Sequence, residues 1–218
     1  MLSIIAPGHE PDVALTRAMF AARKAVFVDI LGWDVPVLDG QYEIDQFDTP
    51  KARYLILSNK GEHLASARLL LTTEPGILSG LFPMLCAGPC PQGPDVFEVT
   101  RFCLDRRLHA RERRDVRDAL VTGLVSYALN AGISAYCAVA EAAWYDQIVR
   151  FGWSCQPLGQ PVRIGTQDLV AMLIDIDPRT PHLLKLGGIT SPCPEDLGPE
   201  DLGPDFLGPE WFAACQEM

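Results

Sequence analysis

The sequence contains no long apolar run. Its longest, such as residues 169–174, fall far short of the roughly 18 consecutive apolar residues a membrane-spanning helix requires, so no stable membrane insertion is expected. Residues 1–10 lack a basic stretch ahead of an apolar one, which argues against a secretory leader. The seven cysteines form no Cys-x-x-Cys pair, and Cys86 and Cys90 stand in a Pro/Gly-rich stretch without a nearby histidine. A disulfide scaffold and a zinc ribbon are thereby excluded. His9, His63, His109 and His182 show no spacing for a metal site or triad, and neither a P-loop nor a dinucleotide glycine fingerprint is present. Positive charge is also short: the formal net charge is −10, so broad nucleic-acid binding is not expected. What remains suits one compact cytoplasmic domain, with 218 residues of which 48% are apolar and 21% charged.

The charge is unevenly spread. Residues 190–218 hold seven Asp or Glu and no Lys or Arg, which leaves residues 1–189 nearly balanced at −3. The acidic end repeats Leu-Gly-Pro at Leu197-Gly198-Pro199, Leu202-Gly203-Pro204 and Leu207-Gly208-Pro209, each followed by Glu or Asp. Proline every five residues forbids a continuous helix or central strand, so a flexible extension beyond a domain at 1–189 is expected. Phe206, Trp211 and Phe212 leave a docking role open for it.

Within 1–189, periodicity predicts a helix over 13–31 with Leu15, Met19, Val26 and Ile30 on its apolar stripe, ended by Gly32. Gly, Pro and clustered acids over 32–49 predict an irregular loop. Strands are expected at 53–58 and 64–71, joined across Asn59-Lys60-Gly61, and at 96–103. Helices follow at 115–130, closed by Gly132, and at 142–151; further strands fall at 135–140 and 168–176. Residues 72–94 are rich in Gly and Pro, with a short apolar stretch at 77–85. Alternating strands and helices in the second half favour an α/β sandwich with a mixed sheet.

Four features carry chemistry. Arg23 and Phe27 lie one helical turn apart on one face, with Trp33 just beyond. A cation beside two aromatic rings can hold a ligand bearing a carboxylate and a flat or sulfonium group; the plainer alternative is an arginine whose stem covers core. Glu43, Asp45 and Asp48 cluster in the predicted loop, where they are expected to be solvated or to bind an ammonium or sulfonium; their spacing does not fit a calcium loop. In the strand 96–103, strict alternation puts Glu98, Thr100 and Phe102 on one face and Arg101 on the other. A Glu inside an apolar strand is costly unless paired, and Glu98 and Arg101 could share a site only across a bulge; a structural ion pair is the alternative. Finally, 105–117 holds Arg106, Arg107, Arg111, Arg113, Arg114 and Arg117 against Asp105, Glu112 and Asp115. A solvated helix start accounts for this run, as does docking of an acidic carrier protein, a phosphopantetheine arm or coenzyme A.

In order, Arg23, Phe27, Leu31-Gly32-Trp33-Asp34-Val35, Glu43-Ile44-Asp45-Gln46-Phe47-Asp48, Ala67-Arg68-Leu69-Leu70-Leu71-Thr72-Thr73, Phe82-Pro83 and Glu98-Val99-Thr100-Arg101-Phe102 form a constellation that resembles the LuxI-type acyl-homoserine-lactone synthases over about residues 1–185. Leu71 stands where that family usually has Pro, and Thr100 where it has Ser. The resemblance implies a GNAT-like three-layer α-β-α sandwich with a mixed, V-splayed central sheet. It implies acyl transfer from a thioester, usually on acyl carrier protein, to the amine of S-adenosylmethionine. Lactonisation then releases methylthioadenosine and gives a quorum-sensing signal. By this resemblance Arg23, Phe27, Trp33, Asp45, Asp48, Arg68, Phe82 and Phe102 form or brace the S-adenosylmethionine pocket, and Glu98, Arg101 and Thr100 serve catalysis. Ala138, Ala140 and Trp144 are expected at the acyl pocket, and Arg106, Arg107, Arg111 and Arg150 at the docking face for acyl carrier protein or acyl-CoA. Family members favouring 3-oxo chains often carry Thr on this strand, so Ala138 and Ala140 lean toward medium to long chains without a 3-oxo group. No metal and no cofactor are expected, S-adenosylmethionine being a substrate.

The chemistry agrees with that implication. A thioester carbonyl is already electrophilic, so no Ser or Cys nucleophile is needed. The attacking amine must be neutral, and direct proton transfer from an α-amino group to an ordinary Glu is uphill by roughly 4.6 kcal/mol. Glu98 therefore needs a pKa raised by burial or works through a water, and the water relay is the expectation, with Arg101 holding Glu98 charged. A general GNAT acyltransferase using acyl-CoA would need a Gly-rich pyrophosphate loop, and 104–114 contains no Gly. A non-catalytic binding module built on the acidic tail would leave Glu98 and the set of Arg23, Phe27 and Trp33 unexplained.

Overall fold

A computed structural model describes residues 1–6 and 12–190. In chain order its elements are β1 (Leu2–Ile5), α1 (Val13–Arg23), β2 (Val37–Leu38), β3 (Tyr42–Glu43), β4 (Arg53–Asn59) and β5 (Glu62–Leu71). There follow α2 (Ile77–Leu81), β6 (Val96–Leu104), α3 (Ala110–Ala131), β7 (Ala135–Glu141) and α4 (Ala142–Val149). The last are β8 (Ser154–Pro157), β9 (Val162–Ile164), β10 (Gln167–Asp175) and α5 (Thr180–Leu186). Among the described residues, one compact unit comprises 1–68 and 101–123 and a second comprises 69–100 and 124–190, so that β5, β6 and α3 each run through both. The repeat-bearing tail expected to be flexible lies, Thr190 aside, outside the described residues.

In the first unit β1 pairs antiparallel with β4, Leu2 opposite Leu57 and Ile5 opposite Tyr54. The expected turn between β4 and β5 is present, with positive φ at both Lys60 (49°) and Gly61 (81°), the pair of left-handed residues a tight hairpin needs. The loop expected over 32–49 is more ordered than its composition suggests. β2 and β3 form a small ribbon, Val37 opposite Glu43, turned at Asp39 and Gly40, whose φ values are 50° and 67°.

The helix expected over 13–31 is α-helical only to Arg23. Asp12 caps its start, accepting from the Leu15 amide at 3.0 Å. Residues Lys24–Val28 then widen into a π-helical turn, with the Asp29 amide bonding Lys24 O at 3.2 Å and the Leu31 amide bonding Val26 O at 3.0 Å. The wider turn shifts the phase of the buried face. The row that reaches the core is Leu15, Met19, Phe20, Arg23 and Phe27, while Ile30, expected on the stripe, is 58% exposed.

In the second unit β7 pairs parallel with β6, Glu98 opposite Cys137, and antiparallel with β10, Ala138 opposite Met172 and Ala140 opposite Val170. β10 also pairs antiparallel with β8 and β9, so the sheet is mixed as expected. The stretch 77–85, whose structure the sequence left unassigned, forms α2 and a 3₁₀ turn at Pro83–Leu85. Their buried leucines, Leu78 and Leu85, pack with Cys137 and Ala171. α3 begins at Ala110, earlier than expected, because the Glu112 carboxylate accepts from the His109 amide at 3.1 Å and closes the first turn. It ends before Gly132, at φ 68°. Among the described residues no helix is long and apolar enough to cross a membrane.

Candidate active site

Three acids in the 32–49 stretch, for which solvation was one expectation, are buried: Glu43, Asp45 and Asp48 are 0%, 7% and 2% exposed. Arginines from three distant elements make this possible. Arg23, the last residue of α1, donates from Nε to Glu43 at 2.5 Å and spans both Asp48 oxygens with its two terminal nitrogens, each at 2.8 Å. Arg68 on β5 reaches Asp45 at 2.6 Å and Asp48 at 2.8 Å. Arg101 on β6 reaches Glu43 at 2.9 Å and Asp45 at 2.6 Å. The Tyr54 hydroxyl and the Asp45 amide also donate to Asp48, both at 2.8 Å. Burial alone would push the Asp48 carboxyl up; Arg23 and Arg68 outweigh it and hold the group well below the usual carboxylate range. Burial likewise opposes the charge on Arg23, and Asp48 and Glu43 overcome it.

One edge of this network is aromatic. The Phe27 and Trp33 rings stack 4.8 Å apart at 16°, and the Arg101 guanidinium carbon lies 5.6 Å from the first ring and 5.7 Å from the second. The Trp33 amide is anchored to Phe27 O at 2.9 Å, and the Trp33 indole Nε1 is buried with no partner among the described residues. Arg101 itself sits at φ 50°, a left-handed conformation that a residue with a side chain adopts at a cost of about 1–3 kcal/mol. That conformation interrupts the regular strand geometry of β6 at Arg101.

Glu98, in the second unit, is also buried, but by a different device. Its Oε2 accepts from the Ile77 amide at 2.9 Å and its Oε1 from the Leu78 amide at 2.8 Å, the first two amides of α2. Arg101, expected to hold Glu98 charged, is engaged within its own unit by Glu43 and Asp45, and within the second unit the Glu98 carboxylate accepts from the two amides. Phe82, expected with the S-adenosylmethionine residues, packs in the second unit against the cluster of Leu78, Leu85, Cys137 and Ala171. On β7 it is Cys137 and Val139 that meet this cluster, whereas Ala138 and Ala140 alternate with them. Trp144 on α4 is 41% exposed. Thr100 is buried and Phe102 half-buried on β6.

The arginine run is exposed at Arg106, Arg107, Arg111, Arg113 and Arg114. Arg107 is bound to Asp105 at 2.8 Å. Arg150, just after α4 in the second unit, is exposed too. Thus the structure brings together Arg23, Phe27, Trp33, Asp45, Asp48, Arg68 and Arg101, and it adds Glu43, which the sequence grouped with Asp45 and Asp48 but did not place among the pocket residues. Tyr54 joins them with no sequence signal beyond a tyrosine in an apolar strand.

The autoinducer synthase family model matches residues 10–182. The chain is 34% identical over 196 residues to the acyl-homoserine-lactone synthase of Ralstonia nicotianae, spanning 86% of this chain and 95% of that protein. Among solved structures it is similar to BjaI, described as a CoA-dependent acyl-homoserine lactone synthase and seen with MTA and, separately, with SAM and isopentyl-CoA. Identity is 26% and the TM-score 0.78, over 88% of this chain and 90% of that one. It is similar also to the AHL synthase LasI, at 27% identity and a TM-score of 0.76 over 84% of this chain and 93% of that one. With these neighbours it shares a GNAT-like α/β fold around a mixed central sheet. The chain belongs to the autoinducer synthase family, the acyl-homoserine-lactone synthases, and is an acyltransferase.

Proposed function

We propose that the enzyme transfers an acyl group from an acyl thioester on acyl carrier protein to the amine of S-adenosylmethionine, and that the product closes to an N-acyl homoserine lactone, a quorum-sensing signal made in the cytoplasm. The observation that carries this reading is Arg101, fixed by Glu43 and Asp45 beside the stacked rings of Phe27 and Trp33. S-adenosylmethionine has a carboxylate for the guanidinium, and a sulfonium and a purine for the ring faces. Arg23, Asp48 and Arg68, whose charges already satisfy one another in the interior, brace this set rather than touch substrate.

In the first step the neutral amine attacks the thioester carbonyl, the carbon–sulfur bond breaks and the donor leaves as its thiol. The ammonium proton passes through a water to Glu98, whose carboxylate the Ile77 and Leu78 amides keep in place. In the second step the carboxylate of the acylated intermediate attacks its own γ carbon and expels methylthioadenosine; folding the substrate into a near-attack geometry is the main contribution required. BjaI has been seen with MTA, which fits this product. The exposed Arg106, Arg107, Arg111 and Arg150 suit an acidic carrier protein. They equally suit the phosphates of coenzyme A, and the CoA dependence described for BjaI favours acyl-CoA as a second donor reading.

The test supplies the purified protein with S-adenosylmethionine and either acyl carrier protein or coenzyme A charged with medium to long chains lacking a 3-oxo group, and identifies products by mass spectrometry. An acyl homoserine lactone formed faster from the carrier protein is expected. Product from acyl-CoA alone would replace the donor, and no lactone from either would overturn the reading.

A further inference from the structure

Gly76 precedes α2 with φ −105° and ψ −161°, extended backbone that any residue adopts, so glycine is not required there by conformation. It is required by space: a Cβ at this position would fall on Oε2 of Glu98. The residue is not free to swing aside, because its amide donates to Ser79 Oγ at 3.1 Å across the first turn of α2. Beyond it, the Ile77 amide serves Glu98 Oε2 and the Leu78 amide serves Oε1. The second donor is anchored in turn, since the Leu78 side chain is buried against Leu85, Cys137 and Ala171.

We propose that Gly76 is a positioning residue for Glu98, leaving open the space in which the Ile77 and Leu78 amides fix its carboxylate for proton uptake. The inference rests on the role given to Glu98 above. A side chain at position 76 must push the carboxylate off its amide donors, and a displaced carboxylate no longer meets the relaying water in a fixed geometry. Binding of S-adenosylmethionine, assigned to Arg101, Phe27 and Trp33, does not depend on this contact, so the effect belongs in kcat rather than in KM.

The experiment measures kcat and KM for S-adenosylmethionine in the purified full chain, with whichever of octanoyl-CoA and octanoyl carrier protein the wild type uses faster, for Gly76→Ala, Glu98→Asp and the double variant. Gly76→Ala is expected to lower kcat about ten-fold or more, the scale of one lost hydrogen bond to a charged group, with KM within two-fold of wild type. Glu98→Asp, which withdraws the carboxylate by one methylene, should cost clearly less in the Gly76→Ala background than alone. Ile77→Pro is the second variant: it deletes the donor to Oε2 at the first helical position, where proline is tolerated, and should lower kcat in the same manner if Gly76→Ala does not fold. Wild-type kcat in both Gly76→Ala and Ile77→Pro, or fully multiplicative effects in the double variant, would overturn the positioning role. Wild-type turnover in Glu98→Gln would instead overturn the reading of Glu98 itself, so the two failures are told apart.

Discussion

Glu43, Asp45 and Asp48 in the first unit are answered by guanidinium groups, whereas Glu98 in the second is answered by the backbone amides of Ile77 and Leu78. The difference separates two tasks. Acids interlocked with Arg23, Arg68 and Arg101 cancel their charges in place, and each becomes a strut for its neighbour. The two amides fix where each oxygen of the Glu98 carboxylate sits. On the reading proposed above, the acids answered by arginine are architecture and Glu98 is the one that does chemistry.

The largest expected effect breaks the comparison on the Glu98 side. Glu98→Gln removes the charge and turns an amide NH₂ toward a backbone donor; kcat for amide formation should fall about 10²–10⁴-fold with the fold intact. Wild-type turnover at saturating substrates would show that this carboxylate is architecture too. On the other side, Arg23→Met strips the guanidinium from buried Glu43 and Asp48 and should destabilise the protein by about 3–5 kcal/mol in urea unfolding. A loss of less than about 1 kcal/mol would mean that the acids do not depend on their arginine.

A buried group with a different answer sharpens the contrast. His63 is pushed down to about 4, by burial first and then by Arg107, against the pull of Asp105. Its folded value lies below the unfolded one of about 6.5, so the unfolded chain binds the proton first. This contribution to stability is complete above about pH 6.5 and is lost as pH falls toward 4, amounting to up to about 3 kcal/mol. His63→Gln should flatten the pH dependence of the urea midpoint in that window; an unchanged slope would assign it elsewhere. The Asp48 contribution has the same sign at lower pH: its carboxyl is depressed when folded, so stability is present above about pH 4 and lost below it. The smallest effect concerns surface charge. Replacing Arg106, Arg107 and Arg111 by Ala should raise the donor KM several-fold at low ionic strength and progressively less as salt is added, with kcat unchanged. A KM insensitive to both changes would move docking to another face.

The sequence carried the identities of the site residues better than their environment. Hairpin, helix stop and mixed sheet were legible at Lys60-Gly61, Gly132 and the alternation after residue 96, because each signal is local. The burial of Glu43, Asp45 and Asp48 was not, because their partners lie up to 58 residues away, as Arg101 does from Glu43. Polar, Gly- and Pro-containing chain reads as loop until those partners are placed. The support of Glu98 was hidden for another reason: backbone donors leave no trace in side-chain identity, and only the glycine that makes room for the carboxylate marks the spot. The short elements β1, β8, β9 and α5 are assembled by pairing or packing with longer ones and are too brief for periodicity to reveal.

The widened turn at Lys24–Val28 makes chain length, rather than composition, the constraint on this part of the molecule. Just past it, the exposed Ile30 is open to replacement. Removing a single residue between Arg23 and Trp33 would let the helix run on in ordinary α geometry and rotate Phe27 away from the indole it stacks upon. Among natural relatives this short interval should therefore accept almost no insertions or deletions.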